Sequence, residues 1–91
     1  MAIYAIRYRY SNDTDLIART RPVHREYLRS LHDQGVLLAS GPLGSDGALI
    51  IVRTDDAVAA FALVDADPFN EVGVIVEREA VEWTQVFGPW A

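Results

Sequence analysis

The chain has 91 residues, 51% of them apolar, and a formal net charge of −5. That length holds one domain, residues 1–91, and a chain so small buries only roughly 60–65% of its unfolded surface, so this apolar content points to surface covered by a second chain. The acidic balance excludes nucleic acid as a partner, because phosphate binding needs clustered cations, and no bilayer-length apolar run or basic amphipathic stretch marks a membrane protein.

No basic flank, apolar run and cleavage site open the sequence, so a cytoplasmic protein is expected. The absence of Cys removes disulfides, thiolate nucleophiles and Cys-ligated zinc. All eight basic residues are Arg, which removes Schiff-base chemistry on Lys. Any catalysis rests on His, Asp, Glu, Tyr, Ser, Thr, Arg or backbone groups.

Ala2 to Tyr10 reads as a strand, with Ala2, Tyr4, Ile6, Tyr8 and Tyr10 on one face and Ile3, Ala5, Arg7 and Arg9 on the other. Ser11-Asn12-Asp13 is a turn or cap, and Asp15 to Thr20 a short helical lead-in that Pro22 interrupts. Pro22 suits the first turn of a new helix, where a missing N–H costs nothing. Val23, His24, Tyr27, Leu28 and Leu31 then recur at helical spacing, and Gly35 ends the helix.

Val36 to Ser40 and Ala48 to Val52 are apolar runs separated by turn formers from Gly41 to Gly47, which predicts a hairpin. Neither run alternates in polarity, so both faces of the sheet are covered. Thr54-Asp55-Asp56 caps a second helix through about Asp65, with Val58, Phe61, Ala62 and Leu63 or Val64 facing inward. Asp67-Pro68 breaks it, Phe69 to Val72 forms one more turn, and Val74 to about Val86 is the last strand.

The order βαββαβ is that of an α+β ferredoxin-like sandwich. Two helices cover one face of a four-stranded sheet, so the other face needs a partner. A second copy of the same sheet is the simplest cover, which predicts a homodimer through sheet packing.

Taking His24 as origin, Tyr27, Leu28 and Leu31 lie at about 300°, 40° and 340° around the helix, so His24 sits in the middle of the apolar stripe. A helix starting at Pro22 puts it in the first turn, where the positive end of the dipole favours a neutral imidazole. Such a ring is either a core histidine bonded to backbone or a general base. His32 lies about 12 Å further along the axis, too far to share a metal with His24. It reads as a boundary residue, and no metal or cofactor is expected.

Asp67 is the acidic candidate. It is an ideal N-cap for the turn after Pro68, and equally a group that could hold one tautomer of His24. Ser40-Gly41-Pro42 offers a hydroxyl and a close backbone approach, or simply a hairpin corner. Arg7 and Arg9 suit an anionic group, or a solvated strand end. Tyr8, between them, joins Arg7 and Ser40-Gly41-Pro42 in the candidate substrate-binding set. Glu77, Glu79 and Glu82 form a solvent-facing strand pattern.

Arg21-Pro22-Val23-His24, Leu31-His32-Asp33-Gln34-Gly35, Ser40-Gly41-Pro42 and Asp65-Ala66-Asp67-Pro68-Phe69, in this order and spacing, resemble the YCII-related (YciI-like) family over nearly the whole chain. The resemblance implies a dimeric α+β barrel of ferredoxin-like protomers and an active site built on a histidine and an aspartate. By position these are His24 and Asp67, with Asp65 not separated from Asp67 decisively. Related dimeric barrels carry out isomerase, lyase and oxygenase reactions on small molecules. Two functions follow from this reading. One is a small-molecule enzyme using His24 and Asp67 for proton abstraction, elimination or isomerisation. The other is a non-catalytic dimeric ligand-binding or accessory module in which the pair supports packing.

Overall fold

The strict alternation of β1 (Ala2–Tyr10) organises the molecule, which is described over residues 1–91 by a computed structural model. Tyr4, Ile6 and Tyr8 point one way and are buried, while Arg7 and Arg9 point the other way and are exposed. β1 pairs antiparallel with both β3 (Gly47–Thr54) and β4 (Ile75–Glu82), and β3 pairs with β2 (Leu37–Leu43). The sheet order is β2-β3-β1-β4. With α1 (Thr14–Asp33), α2 (Ala57–Asp65) and α3 (Pro68–Glu71) the connectivity is the ferredoxin-like α+β sandwich.

The core lies between the sheet and the helices. Tyr4, Ile6 and Tyr8 of β1 meet Ala48, Ile50 and Val52 of β3, Leu31 of α1, and Ala60 and Val64 of α2. A smaller cluster of Ile17, Phe69 and Val74 ties the short α3 to the first half of α1. Each of these large side chains stabilises the fold by about 1.5–3 kcal/mol through burial.

Four expectations are corrected. Helix α1 does not begin at Pro22: it starts at Thr14, capped by Asp13, whose side chain accepts from the Leu16 N–H at 3.1 Å. Pro22 lies inside it. The proline removes one N–H, the donor to the Ala18 carbonyl. Meanwhile the buried stripe of Ile17, Thr20, His24 and Leu31 runs unbroken across it, and packing outweighs the lost bond. The far end follows its glycine: Gly35, at φ 77°, donates to His32, while Val36 donates to Leu31, the paired bonds of a Schellman cap.

Strand β2 continues through Ser40-Gly41-Pro42 to Leu43, so these residues are strand and not a corner. β2 is an edge strand, where a proline's missing N–H is tolerated, and the turn falls on Gly44-Ser45-Asp46 with Gly44 at φ 60°. In α2 it is Ala60 and Val64 that are buried, while Val58 is 78% exposed. No polar residue from Ala57 to Val64 marks a face, so the phase of this helix is set by contacts alone. Strand β4 stops at Glu82, although the Trp83 N–H still reaches the Ile3 carbonyl at 2.9 Å.

The second face of the sheet carries no helix. Cross-strand register places Ala5 opposite Ile51 and Val81, Arg7 opposite Leu49 and Glu79, and Arg9 opposite Glu77. Ile51 is buried there by its neighbours, whereas Leu49 and Val81 are exposed. No helix of the molecule is long and apolar enough to cross a membrane.

Candidate active site

Asp67 opens α3 from an extended backbone conformation, φ −68° and ψ 129°, as a residue before proline must. Its Oδ1 accepts the Phe69 N–H at 2.9 Å, a capping bond. The same carboxylate meets His24 Nδ1 at 2.8 Å through Oδ1 and 2.9 Å through Oδ2, and it accepts the Tyr8 hydroxyl at 3.1 Å. Capping and partnering His24, alternatives in the sequence, are done by one side chain at once.

Burial makes this arrangement demanding. Asp67 is 0% exposed and His24 6%, and an ionised carboxylate in such a place needs its lone pairs filled. Three donors from three elements do this: Nδ1–H from α1, O–H from β1 and N–H from α3. Burial, and then the Asp67 charge, push the Tyr8 hydroxyl far above its ordinary pKa, so Tyr8 stays a donor. Tyr27 is raised by the same two causes. Phe69 completes the clamp by stacking on the His24 ring, centroids 3.9 Å apart and planes 11° apart.

With Nδ1–H given to Asp67, the lone pair of the imidazole lies on Nε2. Nε2 has no protein partner, and it is not sealed in, because no buried side-chain nitrogen or oxygen is left unpaired. The ring borders a cavity of about 440 Å³ between α1 and strands β2 and β3. A free base at the edge of a cavity, held by a buried acid and a stacked ring, can take a proton from a bound molecule.

The dipole expectation for His24 is corrected, since the ring sits mid-helix and the effect fades within the first turn. The Asp67 bond, not the helix end, sets its tautomer. Asp65 is not the partner: it is exposed and pairs with Arg78 on β4. Ser40, Gly41 and Pro42 all border the cavity with His24. Tyr8 reaches Asp67 and is 3% exposed, so its hydroxyl serves the carboxylate. Arg7 lies on the helix-free face, in an open hollow of about 760 Å³ with Arg9, Glu77 and Glu79, and is not brought to His24.

Sequence reasoning missed Arg21, Arg25 and Tyr10, which also border the cavity. Their signal was present: Arg21 and Arg25 stand three residues before and one after His24, on the same flank of an uninterrupted helix. His32 borders a separate hollow toward Leu38 and Ala39. No group of three or more His, Cys, Asp or Glu side chains is placed to hold a metal.

The YCII-related domain profile matches residues 1–84. The proteins called YciI of Escherichia coli and Shigella flexneri are each 33% identical over 78 residues, covering 74% of this chain and 80% of their own. Among solved structures, 5-chloro-2-hydroxyhydroquinone dehydrochlorinase (TftG) from Burkholderia phenoliruptrix, in complex with 2,5-dihydroxybenzoquinone, superposes with a TM-score of 0.79. It is 18% identical, over 90% of this chain and 93% of that one. An uncharacterised NIPSNAP domain protein from Burkholderia xenovorans gives a TM-score of 0.57 at 16% identity, over 98% and 99% of the two chains. At such identities the shared property is the fold.

Proposed function

Because this chain belongs to the YCII-related family, we propose that it is a cytoplasmic homodimeric enzyme acting on a small molecule, with His24 as general acid/base and Asp67 as its orienting partner. The observation that carries this reading is the buried Asp67–His24 pair with Nε2 free at the cavity edge. Asp67 holds Nδ1–H and stabilises the imidazolium that forms when Nε2 takes the substrate proton. The same proton is then available for return at another atom, an isomerisation, or is lost to water after a leaving group departs, an elimination. A neighbour in fold is a dehydrochlorinase, which removes hydrogen and chloride from its substrate, and elimination is the reaction we favour for the present chain. Ser40 lies where its hydroxyl would hold the bound molecule.

The homodimer is supported by the helix-free face, where Leu49 and Val81 are exposed beside half-buried Ala5 and buried Ile51 and no helix covers them. Sedimentation equilibrium should give twice the 10.1 kDa chain mass; a monomer at all concentrations would remove this part of the reading.

His24→Ala tests the chemistry on a substrate found by screening small hydroxylated and halogenated acids and phenols. Turnover should fall about 10²–10⁴-fold with the dimer intact. The competing reading, a binding module in which the pair serves only packing, is favoured by one observation: Asp67 already caps α3. It requires His24→Ala to lower the melting temperature while turnover, if any, is unchanged.

A further inference from the structure

The His24 cavity has a wall for which the proton transfer gives no account. Arg21 and Arg25 stand four residues apart on α1, both bordering the cavity. Neither forms an ion pair, the ion pairs of the molecule being Arg9–Glu77, His24–Asp67 and Arg78–Asp65. Like charges at this spacing weaken a helix, and a chain of net charge −5 with 13 acidic residues has partners to spare. Arg7, Arg19, Arg29 and Arg53 are unpaired too, but Arg21 and Arg25 stand side by side at the cavity that holds a free base, and that position points to a negative ligand group. Tyr10 reports the same field: burial, then Asp67, raise its pKa, while Arg21 and Arg25 both oppose that rise.

The opposite wall is apolar. Pro42 of β2 and Ala48 and Ile50 of β3 line it on the strand side, and Leu28 continues the arginines' own flank of α1. A volume of about 440 Å³ is in the range of small-molecule clefts and admits a one-ring molecule with room to spare. We propose that Arg21 and Arg25 are the anion-holding wall of this cavity, and that its ligand is a one-ring-sized organic anion bearing a carboxylate or acidic enol. The charged group sits between the guanidinium forks, the apolar body lies on Leu28, Pro42 and Ile50, and a proton on that body faces His24 Nε2. Removing that proton makes the ligand more negative, and two fixed cations stabilise the added charge where it develops. The assignment rests on the cavity being the substrate site, and it names the class of substrate.

The test uses benzoate and its neutral isostere benzamide, titrated into isotopically labelled protein while the His24 ring resonances are followed by NMR. Benzoate should bind at least about tenfold more tightly than benzamide, and its affinity should fall with added salt. In the Arg21→Gln/Arg25→Gln double variant that preference should vanish at a melting temperature no lower than the native one, both side chains being exposed and their mutual repulsion removed. His24→Gln, followed through the backbone amide resonances of the cavity lining, should keep the preference for benzoate. Equal binding of the two compounds, no binding of either, or an unchanged preference in the double arginine variant overturns the proposal. Displacement of benzoate by inorganic phosphate at equal concentration overturns the organic part of it, because charge alone would then be recognised. If benzoate selectivity stands but His24→Ala leaves turnover unchanged, the acid/base reading falls and the anion wall survives.

Discussion

The two faces of the sheet handle charge in opposite ways, and β1 shows both within three residues. On the helix-covered face Tyr8 meets a carboxylate that water does not reach, and His24 and the Phe69 N–H meet it from other elements. On the helix-free face Arg9 meets Glu77 at 2.7 Å with both side chains more than half exposed. The distances are alike and the energetics are not. Water can replace either partner of the exposed pair, so its loss costs little. Nothing can replace a donor around Asp67, so each one lost strands a polar group in the core. Short distance is therefore no measure of a charge's importance here; the number of elements converging on it, and the lack of water, are.

The sharpest test of that contrast is Asp67→Ala. Removing the carboxylate strands the His24 N–H, the Tyr8 hydroxyl and the cap of α3, each costing about 1–3 kcal/mol. We expect a loss of roughly 3–5 kcal/mol in chemical denaturation, with α3 undocked from α1. A change no larger than that of a surface variant would mean that the buried face is as forgiving as the open one. Asp67→Asn keeps an acceptor and should lose less stability, yet it should lose activity heavily because an amide can impose the wrong imidazole tautomer.

Much of this frame is legible in the residues, for physical reasons that can be named. The period of two in Ala2–Tyr10 and the period of 3.6 around His24 are local properties, and they place Tyr8 and His24 inward correctly. The same period of two also turns the Arg7 and Tyr8 side chains to opposite faces of the sheet, since adjacent strand residues face opposite ways. The sequence reading combined them, whereas the Arg7 side chain is exposed and the Tyr8 hydroxyl reaches buried Asp67. Pro22 misled because its local cost is clear while the stripe that outweighs it is only tertiary. Helix α2 could not be phased, being apolar on every side. The choice between Asp65 and Asp67 is settled by Arg78 and His24, which come from β4 and α1 and are distant in sequence.

Tyr8→Phe is the intermediate case, removing one of the three donors to Asp67 while keeping the ring. A buried hydrogen bond to a charged group contributes roughly 1.5–3 kcal/mol, and we expect a loss of that size near neutral pH. The pH dependence carries a definite sign. Folded Tyr8 holds its proton because burial and Asp67 raise its pKa, whereas unfolded Tyr8 releases it near pH 10. Stability from this group is thus complete below about pH 10 and declines as pH rises further. Phenylalanine cannot ionise, so the gap between the native protein and the variant should narrow above pH 10. A gap that widens there would mean that the native hydroxyl is not held neutral.

Arg9→Gln should have the smallest effect. The hydrogen bond and charge of Arg9 hold the Glu77 carboxyl below its ordinary range, and Glu77 raises Arg9 in return. A depressed carboxyl stabilises the fold above its unfolded pKa and loses that contribution as pH falls through the folded value. The pair should therefore matter at neutral pH and disappear in acid, and Arg9→Gln should erase that acid-side slope. Both groups are open to solvent in the protomer, where water competes for each of them, so the melting temperature of the variant should fall only slightly below the native one. If the helix-free faces pack together in the dimer, the pair lies at the margin of that contact. A measurable loss of stability that depends on protein concentration would then show that Arg9–Glu77 is desolvated by the second copy, and that the open face is closed in solution.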